Sequence, residues 1–130
     1  MSEDISRLPL PVQERLLRLQ QVQQQLQAIL TQKQQNELEL GEIADALEEM
    51  QKAADDCPIY KSVGSILVKT EKTKMTTELN ERKELLNTRI GILTKQEERT
   101  RTQMKDLQAK LQQDLNPVSP PPPSDLSPPP

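Results

Sequence analysis

The apolar residues of this 130-residue chain change rhythm twice. They fall at coiled-coil spacing from Val12 to Ala54, switch to two short β-branched runs, IYKSV and ILVK, around Gly64-Ser65, and return to coiled-coil spacing from Leu79 to Leu115. In the first stretch one stripe runs Val12, Leu19, Leu26, Lys33, Leu40, Leu47, Ala54. A second, three residues on, runs Arg15, Val22, Ile29, Asn36, Ile43, Met50, with Leu16 and Leu30 widening the pair. In the last stretch the stripes are Leu79, Leu86, Leu93, Thr100, Leu107 and Ile90, Glu97, Met104, Leu111, with Thr76 and Lys83 as weaker early members. Paired stripes of this kind form the seam of a coiled coil. The order helix, tight hairpin, helix predicts a mainly α fold: a long antiparallel two-helix coiled coil joined by one β-hairpin.

The boundaries are marked by proline. Pro9 and Pro11 suit a first helical turn, where a missing N–H costs nothing. Pro58 disfavours helix in the residue before it, and Asn116-Pro117 ends the second helix. Residues 1–10 read as an N-terminal extension, 11–115 as the coiled coil with its hairpin at 58–70, and 116–130 as a proline-rich tail. Each helix has roughly 40 residues, which at 1.5 Å per residue gives about 60 Å. Folded back on one another, the seams align Leu47 with Leu86, Leu26 with Met104 and Leu19 with Leu111. The polar breaks Lys33 and Asn36 then face Glu97 and Thr100. Gly41 and Gly91 fall beside the seam, where they either loosen the shaft or are simply tolerated at about 1 kcal/mol each.

Composition decides what else the chain is not. Aromatic residues make up 1% and hydrophobic residues 33%, too little for a thick globular core but enough for a narrow seam. Net charge is −3, with basic and acidic side chains interspersed, and no basic face offers itself to nucleic acid. No apolar run approaches the ~18 residues of a membrane span. The single cysteine, Cys57, points to a reducing compartment and a cytoplasmic protein. There is no histidine and no glycine-rich phosphate loop, and the carboxylates of DALEE and KQEERTR fall on helix surfaces with no concave, dehydrated site to tune them, so neither an enzyme nor a bound metal or cofactor is expected.

Gly64-Ser65 suits a two-residue turn with glycine first. Pairing outward from it sets Val63 opposite Ile66, Ser62 opposite Leu67, Lys61 opposite Val68 and Tyr60 opposite Lys69. Ile59, Val63, Ile66 and Val68 then share one face, with Tyr60 and Leu67 on the other. A lone two-stranded hairpin is marginal in water, and its edges attract further strands. Either the hairpin folds over the end of its own coil, or hairpins of several subunits join edge to edge into an oligomeric sheet or barrel. The narrow end of a two-helix coil favours the second. At the other end Leu8, Leu10, Leu16, Leu17 and Leu19 meet Met104, Leu107, Leu111 and Leu115, more apolar groups than one seam buries. They either close the coil or hold non-native chains by adaptable contact. The tail, with eight of the eleven prolines, reads as a solubilising extension or as a ligand for a proline-recognising domain.

From Leu10 to Leu115, and most specifically in CPIYKSVGSILVKTEK, the chain resembles the β-type subunit of prefoldin, a cytosolic co-chaperone. Ile59, Tyr60, Lys61, Val63, Gly64, Leu67, Val68 and Lys69 carry the likeness, and a single hairpin marks the β type. The resemblance implies an ATP-independent holdase subunit that assembles with a prefoldin α subunit as an α2β4 hexamer. Its hairpins would build a double β-barrel, and its coiled-coil ends would grip unfolded client proteins and deliver them to a group II chaperonin. On the residues alone, an oligomeric coiled-coil scaffold or tether without chaperone activity is the competing expectation, and an adaptor presenting the proline tail is a third.

Overall fold

A computed structural model describes residues 7–115, so the 116–130 tail lies outside the described residues. Helix α1 spans Leu10–Lys52, strand β1 Ile59–Val63, strand β2 Ile66–Thr70 and helix α2 Lys72–Leu115. The chain divides into two compact units. A terminal unit joins residues 7–28 to 97–115, and a hairpin unit holds residues 29–96.

Proline starts α1 as its chemistry dictates. The Pro9 carbonyl accepts from the Val12 and Gln13 amides at 3.0 and 3.1 Å, and the Gln13 side-chain amide donates to the Leu8 carbonyl at 2.7 Å. The helix therefore begins at Leu10, one residue inside the expected extension. It ends at Lys52, so Ala54 lies beyond it and is exposed rather than in the seam. The ammonium of Lys72, at the start of α2, donates to the Ala53 carbonyl at 2.8 Å and lies 3.3 Å from Asp55. A cation thus satisfies a carbonyl that the end of α1 leaves open.

In the terminal unit Val12, Val22, Leu26, Thr100 and Leu111 are buried, and Arg15 of α1 pairs with Asp114 of α2. In the hairpin unit Ile43, Leu86 and Leu93 are buried, and Arg82 grips Glu39 through Nε at 2.7 Å and a terminal nitrogen at 3.0 Å. Every residue of the two α1 stripes within the helix is buried or half-buried. Thr100 is the one buried polar member, and among the described residues no buried side-chain polar atom lacks a partner.

In the hairpin unit Leu47 lines one groove with Thr76, Asn80 and Lys83, and Asn36 lines another with Arg89, Leu93 and Gln96. Lys83, an expected early member of the α2 stripe, is exposed, and its neighbour Arg82 is half-buried.

The hairpin has the expected register throughout, Val63 to Ile66, Ser62 to Leu67, Lys61 to Val68, Tyr60 to Lys69 and Ile59 to Thr70. Gly64 has φ 59° and among the described residues no non-glycine residue is left-handed, so the positive φ at the first turn position falls to glycine. Gly41 and Gly91 meet no atom within 4 Å of where a Cβ would stand. Replacing each with alanine should raise stability by about 0.5–1 kcal/mol, because the helix interior gains rigidity and nothing is displaced. Thermal unfolding of Gly41→Ala, Gly91→Ala and the double variant checks this, and a lower melting temperature would show that the helix uses the glycine.

Candidate functional site

Two apolar surfaces stand out among the described residues once the seam is filled. The first is the hairpin. Both strand edges are unpaired in its two-stranded sheet. Tyr60, Val63, Ile66, Leu67 and Val68 are 43–70% exposed. Only the base of one face is covered: Ile59, Lys61 and Thr70 are half-buried, and Lys61 Nζ donates to Glu78 of α2 at 2.8 Å. The hairpin is therefore fastened at its root while its turn end and both faces stand open, with Gly64 at the turn.

The second surface lies in the terminal unit. Leu10, Leu16, Leu17 and Leu19 line one groove of ≈ 640 Å³ along α1, with Gln13, Glu14, Gln20 and Gln23 among them. Leu10 is 65% and Leu17 58% exposed, while Leu16 and Leu19 are half-buried. Leu10 and Leu17 are seven residues apart and sit on the back of the helix, away from the seam positions Val12 and Leu19. Leu115 of α2 is 50% exposed, and Leu8, Met104 and Leu107 are half-buried. Leu111 departs from the expected surface: at 5% exposure it seals the seam and presents nothing outward.

Charge placement steadies the hairpin unit. The hydrogen bond from Arg82 holds the Glu39 carboxyl below the usual carboxylate range, against a smaller opposing effect of burial, and in turn raises Arg82. The Lys61 ammonium lowers Glu78 in the same way.

Leu38, Leu85 and Ile92 of the hairpin unit are also exposed, and neither predicted surface includes them. Their signal was present: Leu38 falls three heptads after Leu17, and Leu85 and Ile92 each directly precede a buried seam leucine.

This arrangement, two long helices around one short hairpin, has known relatives. The family model for a prefoldin subunit matches residues 13–117. The chain belongs to the prefoldin family. It is similar to the prefoldin β subunit of Archaeoglobus fulgidus, 48% identical over 110 residues that span 85% of this chain and 95% of that protein. The β subunit of Methanosarcina acetivorans is 44% identical over 112 residues, covering 86% and 96%. A crystal structure of the prefoldin β subunit from Thermococcus strain KS-1 superposes with a TM-score of 0.74 at 40% identity, over 88% of this chain and 98% of that one. These relatives place the chain with the β subunits of a chaperone family. Among the described residues no helix is long and apolar enough to cross a membrane.

Because Glu39 and Glu78 are lowered in the folded chain, the stability that they lend is complete at neutral pH. It disappears as acidification below about pH 4.3 protonates them. Melting curves from pH 7 to pH 3 should show Glu39→Gln slightly less stable than the parent at pH 7 and less sensitive to acid. Parallel curves for the two proteins would mean that the Arg82 pair contributes nothing.

Proposed function

We propose that this chain is the β subunit of an ATP-independent holdase. Its hairpin joins it to neighbouring subunits, and its leucine groove takes hold of unfolded protein. Membership of the prefoldin family supplies the class of activity, a co-chaperone that delivers unfolded proteins to a chaperonin. The groove of Leu10, Leu16, Leu17 and Leu19 supplies the observation that carries the client site, because Leu10 and Leu17 stay open to water after the seam is formed. Unfolded chains present scattered apolar groups of no fixed shape. A shallow surface of flexible leucines, with Met104 and Leu107 half-buried in the same unit, suits such ligands better than a shaped pocket would.

Hairpin assembly follows the same logic. Val63, Ile66 and Val68 on one face and Tyr60 and Leu67 on the other leave a two-stranded ribbon with little to stabilise it alone. Edge pairing with the hairpins of prefoldin α subunits and of further β subunits, four β to two α, satisfies its backbone and covers both faces. The expected setting is the cytoplasm, with a group II chaperonin as the receiver. The geometry asks for no nucleotide: capture by apolar contact is an equilibrium that needs no hydrolysis to proceed.

The test is aggregation of a chemically unfolded protein on dilution, with the chain assembled with a prefoldin α subunit. Leu10→Ser with Leu17→Ser should weaken suppression several-fold at unchanged complex mass, since neither leucine contributes to the seam. Ile66→Lys should instead reduce the mass of the complex. Undiminished suppression by an intact complex of the double variant would overturn the client site and return the chain to the role of a scaffold.

A further inference from the structure

The leucine groove is lined by α1 alone, and the unit that carries it is also where the chain leaves α2. We infer that residues 116–130, the proline-rich segment that follows Leu115, fold back in cis along α1 and occupy the groove, so that an unfolded client must displace them. The inference rests on the reading of this groove as the client site and adds an internal competitor to it. The family match ends at residue 117, so nearly all of this segment belongs to this chain and not to the shared family core.

Placement favours the contact. Asp114, in the last turn of α2, pairs with Arg15, which lies between the groove residues Glu14 and Leu16. The segment is thereby rooted level with the middle of the groove, on the seam side of α1. The groove runs from Leu10 to Gln23, roughly 20 Å of helix at 1.5 Å per residue. Fifteen residues in polyproline II form reach about 45 Å at 3.1 Å each, enough to run from the root to either end of the groove.

Chemistry favours it as well. NPVSPPPPSDLSPPP contains eight prolines, with Val118 and Leu126 as further apolar groups. Proline carbonyls accept hydrogen bonds and proline nitrogens donate none, so such a segment needs donors from its dock. Gln20 and Gln23 bring side-chain amides to the groove beside the leucines. A stretch already restricted by proline loses little conformational freedom on docking, which lowers the cost of binding. Finally, the tether holds the segment at an effective concentration on the order of millimolar. An intrinsic affinity in that range, negligible for a free peptide, then keeps the groove about half covered.

The experiment uses the full chain in its assembled complex. Ser124→Cys, in a Cys57→Ser background, carries a photoactivatable crosslinker, and a mixture of isotopically light and heavy chains separates contacts within one chain from those between copies. Crosslinks within one chain to residues 10–23, reduced by Leu16→Ser with Leu17→Ser and displaced by unfolded protein, are expected. Removal of residues 116–130 should tighten binding of an unfolded test protein about twofold. Crosslinks to residues 85–96, to another copy or to no site on the coil would overturn the inference. Crosslinks to residues 10–23 that unfolded protein does not displace would uphold docking and overturn the groove as the client site. A proline-recognising protein as the sole occupant of the segment would also overturn the inference.

Discussion

A seam of two helices can bury only one stripe from each, and the rest of this chain is a consequence of that limit. Val22 and Leu86 are fully enclosed, and their neighbours along the stripes are buried or half-buried. Burial of such side chains stabilises by roughly 1.5–3 kcal/mol apiece, so a long seam holds the fold without a globular core. Whatever apolar matter lies off the stripes has nowhere inside to go. It stays on the surface, and the two largest collections of it are the hairpin and the leucine groove.

The two collections differ in what they ask of a partner. The hairpin offers unpaired backbone edges as well as side chains, and edges are satisfied only by another strand in fixed register. The groove offers side chains on the back of a helix whose own backbone is already satisfied, so it can hold apolar groups in many arrangements. Such edges suit a permanent interface, and such a groove suits a transient, unselective one. The ion pairs hold the elements that carry the two surfaces. Lys61 and Lys72 fasten the root of the hairpin, Glu39 and Arg82 clamp the helices of the same unit, and Arg15 and Asp114 tie the last turn of α2 to α1.

Much of this was legible in the sequence because both periods are strong. Heptad spacing named the stripes of α1 almost to the residue, and Gly64-Ser65 between β-branched runs predicted the hairpin register that the structure has. The helix ends were not legible: heptad spacing places Ala54 in a stripe whose helix stops at Lys52, and the contact from Lys72 to the Ala53 carbonyl joins residues far apart in sequence. Within the candidate site, Leu17 lies off the stripes and is exposed, whereas Leu111, expected both in the seam and among the surplus leucines, is buried in the seam. Heptad spacing passes over Leu38, Leu85 and Ile92, which lie off the stripes, although their exposure is comparable with that of Leu10 and Leu17.

Those passed-over residues supply the decisive control. A photoreactive amino acid can replace Leu17, Leu38 or Ile92 one at a time in the assembled complex, which is then illuminated with an unfolded protein bound. All three positions are exposed leucine or isoleucine, so exposure alone does not separate them. If the groove is the site of capture, the client crosslinks at Leu17 and only weakly at Leu38 and Ile92. Equal crosslinking at all three positions would contradict the account, because any exposed apolar residue along the coil would then serve as well as the groove.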